Sequence, residues 1–357
     1  MSILEDTEAY ESWLATQCEV VEKDLARKHE RMRKNPFVFL RATYYRWARC
    51  IEKICTELVD APSVLCVGDI HLENFGTWHD ADGRWVWGVN DFDEAAVMPY
   101  AFDLVRLTAS IQLAPQMKMA GHDAADAILE GYREGLRQPG PALLDEQEIW
   151  IRSYVKCADD CRRKFWKDIE ALKAANPSPL MRKLLIASLP GKAEETAFFR
   201  RTAGGGSLGR PRFVVVATWR GGRVVREAKA LVASAWDWSH GKTPQQHKFL
   251  DLSTGTYRSP DPYLRVEPDG AGTNFVFRRL SADSRKIDLD DDAANLKDEQ
   301  LRAMGADLAS VHAATRDAGG AITADLKARR RGWLHESARA AREAIEKDFD
   351  VWCRKTG

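Results

Sequence analysis

Two polar clusters, each following a short apolar run, constrain this chain more than any other feature. Residues 64–67 lead into Gly68-Asp69-Ile70-His71-Leu72-Glu73-Asn74-Phe75-Gly76, and residues 85–89 lead into Asn90-Asp91-Phe92-Asp93-Glu94. Short apolar runs bounded by turn residues read as strands. The clusters then fall at strand ends, where a rigid sheet holds the backbone while the side-chain heads stay accessible. Asp and Asn side chains so placed offer hard oxygen donors for Mg²⁺, with a His ring beside them, and the clusters read as a metal and phosphate site.

The rest of the composition narrows the class. Fifty-three basic and 53 acidic residues cancel in 357, so no global field draws in nucleic acid or an anionic membrane, and an anionic ligand must be held locally. No stretch approaches 18 uninterrupted apolar residues, and the first ten carry no apolar signal core. We expect a soluble, cytoplasmic protein that binds neither nucleic acid nor membrane. Seven Cys form no C-x-x-C pair, and Cys157 and Cys161 find no second pair to complete a metal site.

Periodicity divides the chain. Residues 6–58 read as helices, 62–93 as short strands with a turn at Asp80-Ala81-Asp82-Gly83, and 103–113, 123–136 and 145–174 as helices again. Residues 213–219 and 224–230 read as a hairpin about Gly221-Gly222, and 262–266 with 274–280 as a second strand pair. From 296 to 352 the pattern is helical. The acidic run at 288–292 is a helix cap or a lure for a cationic acceptor.

A glycine-rich stretch, Ala203-Gly204-Gly205-Gly206-Ser207-Leu208-Gly209, precedes the hairpin. Gly204, Gly206 and Gly209 fit G-x-G-x-x-G, but a strand and hairpin follow instead of a helix. A glycine loop between antiparallel strands is how protein kinases cover nucleotide phosphates. The return strand ends in Val225-Arg226-Glu227-Ala228-Lys229, and a cation there reaches the phosphates. Lys229 is the first choice and Arg226 the rival, because a spacing of three puts them on opposite faces.

Phosphoryl transfer needs a carboxylate to orient or deprotonate the attacking hydroxyl, together with oxygen ligands for Mg²⁺. Asp69 suits the first role, and Asn74 and Asp91 suit the second. With them, Gly68-Asp69-Ile70-His71, Asp91-Phe92-Asp93, Pro99 and Asp103-Leu104 resemble the catalytic segment of the aminoglycoside phosphotransferase branch of the protein-kinase-like superfamily. The chain is more closely similar to the bacterial family known as domain of unknown function 2252. That likeness includes Pro36-Phe37-Val38-Phe39-Leu40-Arg41, the glycine loop and the Val-Arg-Glu-Ala strand.

The resemblance implies Asp69 as the catalytic Asp, with Asn74 and Asp91 as metal ligands and Asp93 as a further carboxylate there. It also implies Asp103 as a buried brace for the catalytic loop, and residues 275–280 as the strand and hinge that meet adenine through backbone groups. Gly204, Gly206, Ser207 and Gly209 would cover the phosphates, and His71 would position the loop or touch the acceptor.

The implied fold is α+β: a two-lobed, kinase-like fold in circularly permuted order, with a small antiparallel-sheet lobe and a large helical lobe. Residues 1–195 would form the helical lobe, 196–285 the nucleotide lobe and 286–357 a helical return. Such a permutation requires residues 62–93 and 204–229 to meet across one cleft. The expected activity is Mg-ATP-dependent phosphorylation of a small hydroxylated acceptor. An ATP-binding pseudokinase, a protein-directed kinase or an AMP transferase uses the same residues. A two-metal phosphoesterase explains Asp69, His71 and Asp91, but needs further His-containing motifs that the sequence does not carry.

Overall fold

The computed structural model describes residues 1–115, 117–147, 149–156, 158–242, 247–286 and 296–356. Four helices come first: α1 (Ile3–Gln17), α2 (Glu22–Arg31), α3 (Pro36–Ala42) and α4 (Tyr44–Ile54). Local chemistry starts two of them. Ser2 and Glu5 close a capping box on α1, and Asn35 accepts the Val38 N–H just ahead of Pro36 at the first turn of α3.

Strand β1 (Ser63–Cys66) runs into the first polar cluster. β2 (Phe75–His79) and β3 (Trp85–Val89) form a hairpin, closed where Asp80 accepts the N–H groups of Asp82 and Arg84. β4 (Ala96–Pro99) pairs antiparallel with β1 and leads into α5 (Tyr100–Gln112), which is buried along nearly its whole length. α6 (Gly121–Arg137) lies against it, and β5 (Ala142–Leu143) adds to β3.

After α7 (Arg152–Val155) and α8 (Asp159–Glu170) come β6 (Lys173–Ala174), α9 (Pro179–Ala187), β7 (Glu194–Arg200), β8 (Arg212–Trp219) and β9 (Gly222–Leu231). α10 (Ala235–Ser239), α11 (Phe249–Ser253), β10 (Arg265–Pro268) and β11 (Asn274–Leu280) follow. α12 (Asp298–Ala313), α13 (Ala318–Ala328) and α14 (Trp333–Thr356) return to the helical body. β6 to β11 form one antiparallel sheet in the order β10-β11-β9-β8-β7-β6. Its two faces are covered separately, one by α9 around Met181 and Leu185, the other by α8 around Ile169. The main core lies in the helical body.

The architecture is thus α+β, with small antiparallel sheets and many helices. Residues 145–174 do not form the single helix their periodicity suggests. Lys156 is extended after α7, and α8 buries only Ile169. The sheet also begins before residue 196, at β6. The strand β7 was not legible because its first four residues are exposed and carry no alternation. The strand predicted at 262–266 shifts to Arg265–Pro268, where an edge position accommodates Pro268. No described helix is long and apolar enough to cross a membrane. Cys157 and the acidic run at 288–292 lie outside the described residues.

Candidate functional site

Residues 62–93 and 204–229 meet. A cleft of about 260 Å³ is lined by Asp69, His71, Asn74, Asp91 and Asp93 from the strand ends and by Gly204, Gly205, Gly206 and Ser207 from the loop. A second cavity of about 280 Å³ adjoins it beneath β9 and β11. Asp91, Arg201, Arg278 and Lys286 line both.

The loop after β1 is held from below. Asp103, fully buried on α5, accepts the N–H groups of Val67 (2.7 Å) and Gly68 (3.0 Å). His312 on α12 stands 3.1 Å from the same carboxylate, and its other ring nitrogen lies 2.7 Å from the Tyr132 hydroxyl. Gly68 turns the chain at φ +81°, where an added Cβ would lie 2.3 Å from the Glu94 carbonyl. Cys66, Asp103 and His312 come close enough together to suggest a metal. All three are buried, and the carboxylate is taken up by backbone donors, so the group is a brace.

Asp69 is gripped by Arg106, one turn along α5 from Asp103. The guanidinium reaches it through Nε at 3.1 Å and through Nη2, and it also donates to the Leu40 carbonyl at 2.9 Å. Burial pushes the Asp69 carboxyl up to about 7, against the pull of Arg106. His71 accepts the Glu73 N–H at Nδ1, 3.2 Å, which leaves its proton on Nε2. Burial, then Arg41 and Arg106, hold it well below the usual range, so the ring is neutral.

Asn74 ties the two clusters together. Its side-chain amide nitrogen donates to the Asp69 backbone carbonyl at 2.7 Å, and its backbone carbonyl accepts the Asn90 N–H at 3.0 Å. Lys229 places its ammonium 2.6 Å from Asp93 and 3.3 Å from Asp91. Burial would raise Asp91, but Lys229, Lys286 and Arg278 outweigh it and hold the carboxyl below the usual range. Burial and the Asp91 charge raise Asp93, whose Oδ1 has no partner among the described residues. A buried, unpartnered carboxylate oxygen beside a second carboxylate and an amide oxygen fits a hard divalent cation.

The glycine loop, residues 201–211, folds down onto this floor. Gly206 sits where an added Cβ would lie 2.8 Å from the Arg41 carbonyl and 3.3 Å from Asp69 Oδ2, so only glycine allows the approach. Arg31 donates to the Gly204 carbonyl at 2.9 Å, and Arg212 donates to Ser207 Oγ at 3.0 Å. Gly209 does not line the cleft. It packs on Leu25, and its carbonyl accepts the Val21 N–H at 2.8 Å.

The structure separates the two candidate cations. Arg226 lies on the far face of β9, donating to the Ser188 carbonyl at 3.0 Å and stacked 4.1 Å over Tyr263. Alternation along the strand is the cause. It carries Arg226, Ala228 and Ala230 toward α9, and Glu227 and Lys229 the other way.

Several residues of the site escaped the sequence reading. Glu227, fully buried, receives Arg201 (2.9 Å), Arg212 (2.9 Å) and Arg278 (2.7 Å). Burial alone would raise its carboxyl, but the three guanidiniums hold it well below the usual range. Its signal was the period of two shared with Lys229; its partners, from three separate segments, gave none. Arg106, three residues after Asp103 on one helix face, was legible in principle. Arg210 pairs with Glu94 at 2.7 Å, and Lys28 lines the cleft from α2.

Residues 20–174 match the model of a family described as an uncharacterized protein conserved in bacteria, DUF2252. This bears out the resemblance to that family. The matched span carries Asp69, His71, Asn74, Asp91, Asp93 and Asp103 and ends before the glycine loop. No curated protein and no solved structure matches the chain.

Proposed function

We propose that the chain is a Mg-ATP-dependent phosphotransferase acting on a hydroxyl of a small acceptor, in a two-lobed, permuted kinase-like fold. One observation carries the reading: a glycine loop and the Asp69, Asn74, Asp91 set, far apart in sequence, line one cleft, and a strand cation, Lys229, reaches Asp91 at 3.3 Å from the adjoining cavity. Counted from the strand before the loop, Lys229 is on the third strand of the sheet, where protein kinases carry their phosphate-binding Lys.

The Asn74 amide oxygen with the Asp91 and Asp93 carboxylates would hold Mg²⁺, which would neutralise charge on the β- and γ-phosphates. Lys229 and the cleft-facing guanidiniums of Arg201, Arg212 and Arg278 bind the phosphates. The loop closes over them and excludes water. The base fits the second cavity, floored by Val276 and Leu280. The backbone of β11 is paired on both sides only as far as Phe277, which leaves residues 278–281 to meet it.

Asp69, fixed by Arg106, orients the acceptor hydroxyl and takes its proton. The acceptor oxygen bonds to the γ-phosphorus as the bond to the β,γ-bridging oxygen breaks, and ADP leaves with that electron pair. Neutral His71 donates from Nε2 beside it.

Calorimetric titration of ATP, with and without Mg²⁺, into the wild type and Asp91→Ala tests the reading. Metal-dependent binding that the variant loses is expected. Wild-type binding that ignores Mg²⁺, or none at all, would overturn it.

A further inference from the structure

Beyond Asp69 the cleft continues into a chamber that the phosphoryl donor does not need. Its walls are Tyr10, Tyr44 and Tyr45, with Lys28, Arg210 and Arg41 among them. The three cations differ in how far they are satisfied. Arg41 pairs with Glu73, while its Nε has no hydrogen-bond partner among the described residues. Arg210, 4% exposed, spends Nη2 on Glu94 (2.7 Å) and the Tyr10 hydroxyl (3.0 Å), and its Nη1, 3.8 Å from Asp93, likewise has no hydrogen-bond partner among the described residues.

Lys28 is the extreme case. It is 1% exposed, and its ammonium stands 5.8 Å from the Tyr10 ring centroid and 5.3 Å from that of Tyr45. Among the described residues no carboxylate comes within ion-pair distance of it. Arg41 and Arg210 thus have carboxylates within ion-pair reach, Glu73 for the first and Glu94 and Asp93 for the second, and of the three cations Lys28 alone has none among the described residues.

A buried ammonium without a counter-ion is costly, and ring faces recover only part of its lost hydration. Burial accordingly pulls Lys28 down to about 8, which still leaves it mostly protonated at neutral pH. A site that keeps such a charge at the wall of its own cleft is suited to an incoming anion, with two guanidinium edges able to add charge-assisted bonds. The tyrosine faces bound the body of the same ligand, and the chamber's size restricts it to a small molecule.

We propose that the acceptor is a small hydroxylated anion, its phosphate or carboxylate group seated on Lys28 with Arg210 and Arg41 and its hydroxyl at Asp69. This rests on the phosphotransferase reading for the role of Asp69. The chamber's preference for an anion stands on its own geometry. It departs from the cationic acceptor that the acidic run at 288–292 had suggested.

The test titrates inorganic phosphate, and separately malonate, into the wild type, Lys28→Met and Lys28→Arg, each first saturated with Mg-ADP so that the nucleotide cations are occupied. Lys28→Met should weaken anion binding by about tenfold or more and Lys28→Arg by much less, with Mg-ADP affinity the same in all three. Phosphate binding alone points to a phosphorylated acceptor, and malonate binding alone to a carboxylated one. Equal affinity in wild type and Lys28→Met, or no anion binding to the wild type, overturns the proposal. If the wild type fails to take Mg-ADP yet binds an anion through Lys28, the phosphotransferase reading falls and the anion site stands.

Discussion

The Lys229 ammonium lies 2.6 Å from Asp93 and faces the cleft, while Arg226, three residues earlier on the same strand, is turned away to Ser188 and Tyr263. That orientation separates the sequence's first choice from its rival. Lys229→Met should raise the Kd for Mg-ATP by about tenfold to a hundredfold, the loss of one to two charge-assisted contacts. Arg226→Met should change it by less than about twofold and act on stability instead, since it removes packing and a carbonyl's donor. Calorimetry on the two variants decides it, and the reverse ranking would show that the nucleotide lies on the other face of the sheet.

Among the described residues Glu227 is the only carboxylate within ion-pair distance of Arg201, Arg212 and Arg278, and it is fully buried. Glu227→Gln keeps its shape and removes its charge. Breaking a buried ion cluster from one side costs about 3–5 kcal/mol, which urea unfolding would read directly. A cost below about 1 kcal/mol would mean that the cleft hydrates Arg201, Arg212 and Arg278 well enough to stand alone.

Lys28 gives a pH dependence of known sign. Its folded value near 8 lies below the ordinary 10.5, so above pH 8 the unfolded chain holds a proton that the folded chain has released. Stability from this group therefore rises with pH from about 8 toward 10.5, and the full penalty of about 3 kcal/mol is present below 8. The charged groups acting on the ammonium are Glu11, Arg210, Glu94 and Asp69. Tyr10 and Tyr45 are pushed up by burial and act in the opposite direction above pH 10, so the window to examine is pH 8 to 9.5. Lys28→Met should be the more stable protein at pH 7 and flatter across that window. An identical slope in both would place the titration elsewhere.

What the sequence revealed follows the range over which each feature is determined. The clusters at Asp69 and Asp91 were readable because a short apolar run and the polar residues after it fix a strand end locally. The hairpin of β8 and β9 was readable because Gly221-Gly222 sits between two Val-rich runs. The choice between Lys229 and Arg226 was not, since alternation says only that they differ and not which face meets the cleft. β7 was hidden by its exposed Glu194-Glu195-Thr196 start. The Glu227 cluster was hidden because its guanidiniums come from the glycine loop and two strands. Arg210 and Lys28 likewise gain meaning only once the helices before residue 54 close one side of the cleft.

The brace beneath Asp69 also bears on how this chain acquires its shape. Asp103 and its support His312 are 209 residues apart, so the segment carrying Asp69 is synthesised long before the helix that steadies it. Contacts this remote in sequence form late and slow the final ordering of a chain. The helical body can collapse early around α5, yet the loop above it settles only when α12 docks. A partly folded form should therefore hold much of the helical body with the segment after β1 unformed and exposed to proteases at residues 67–76.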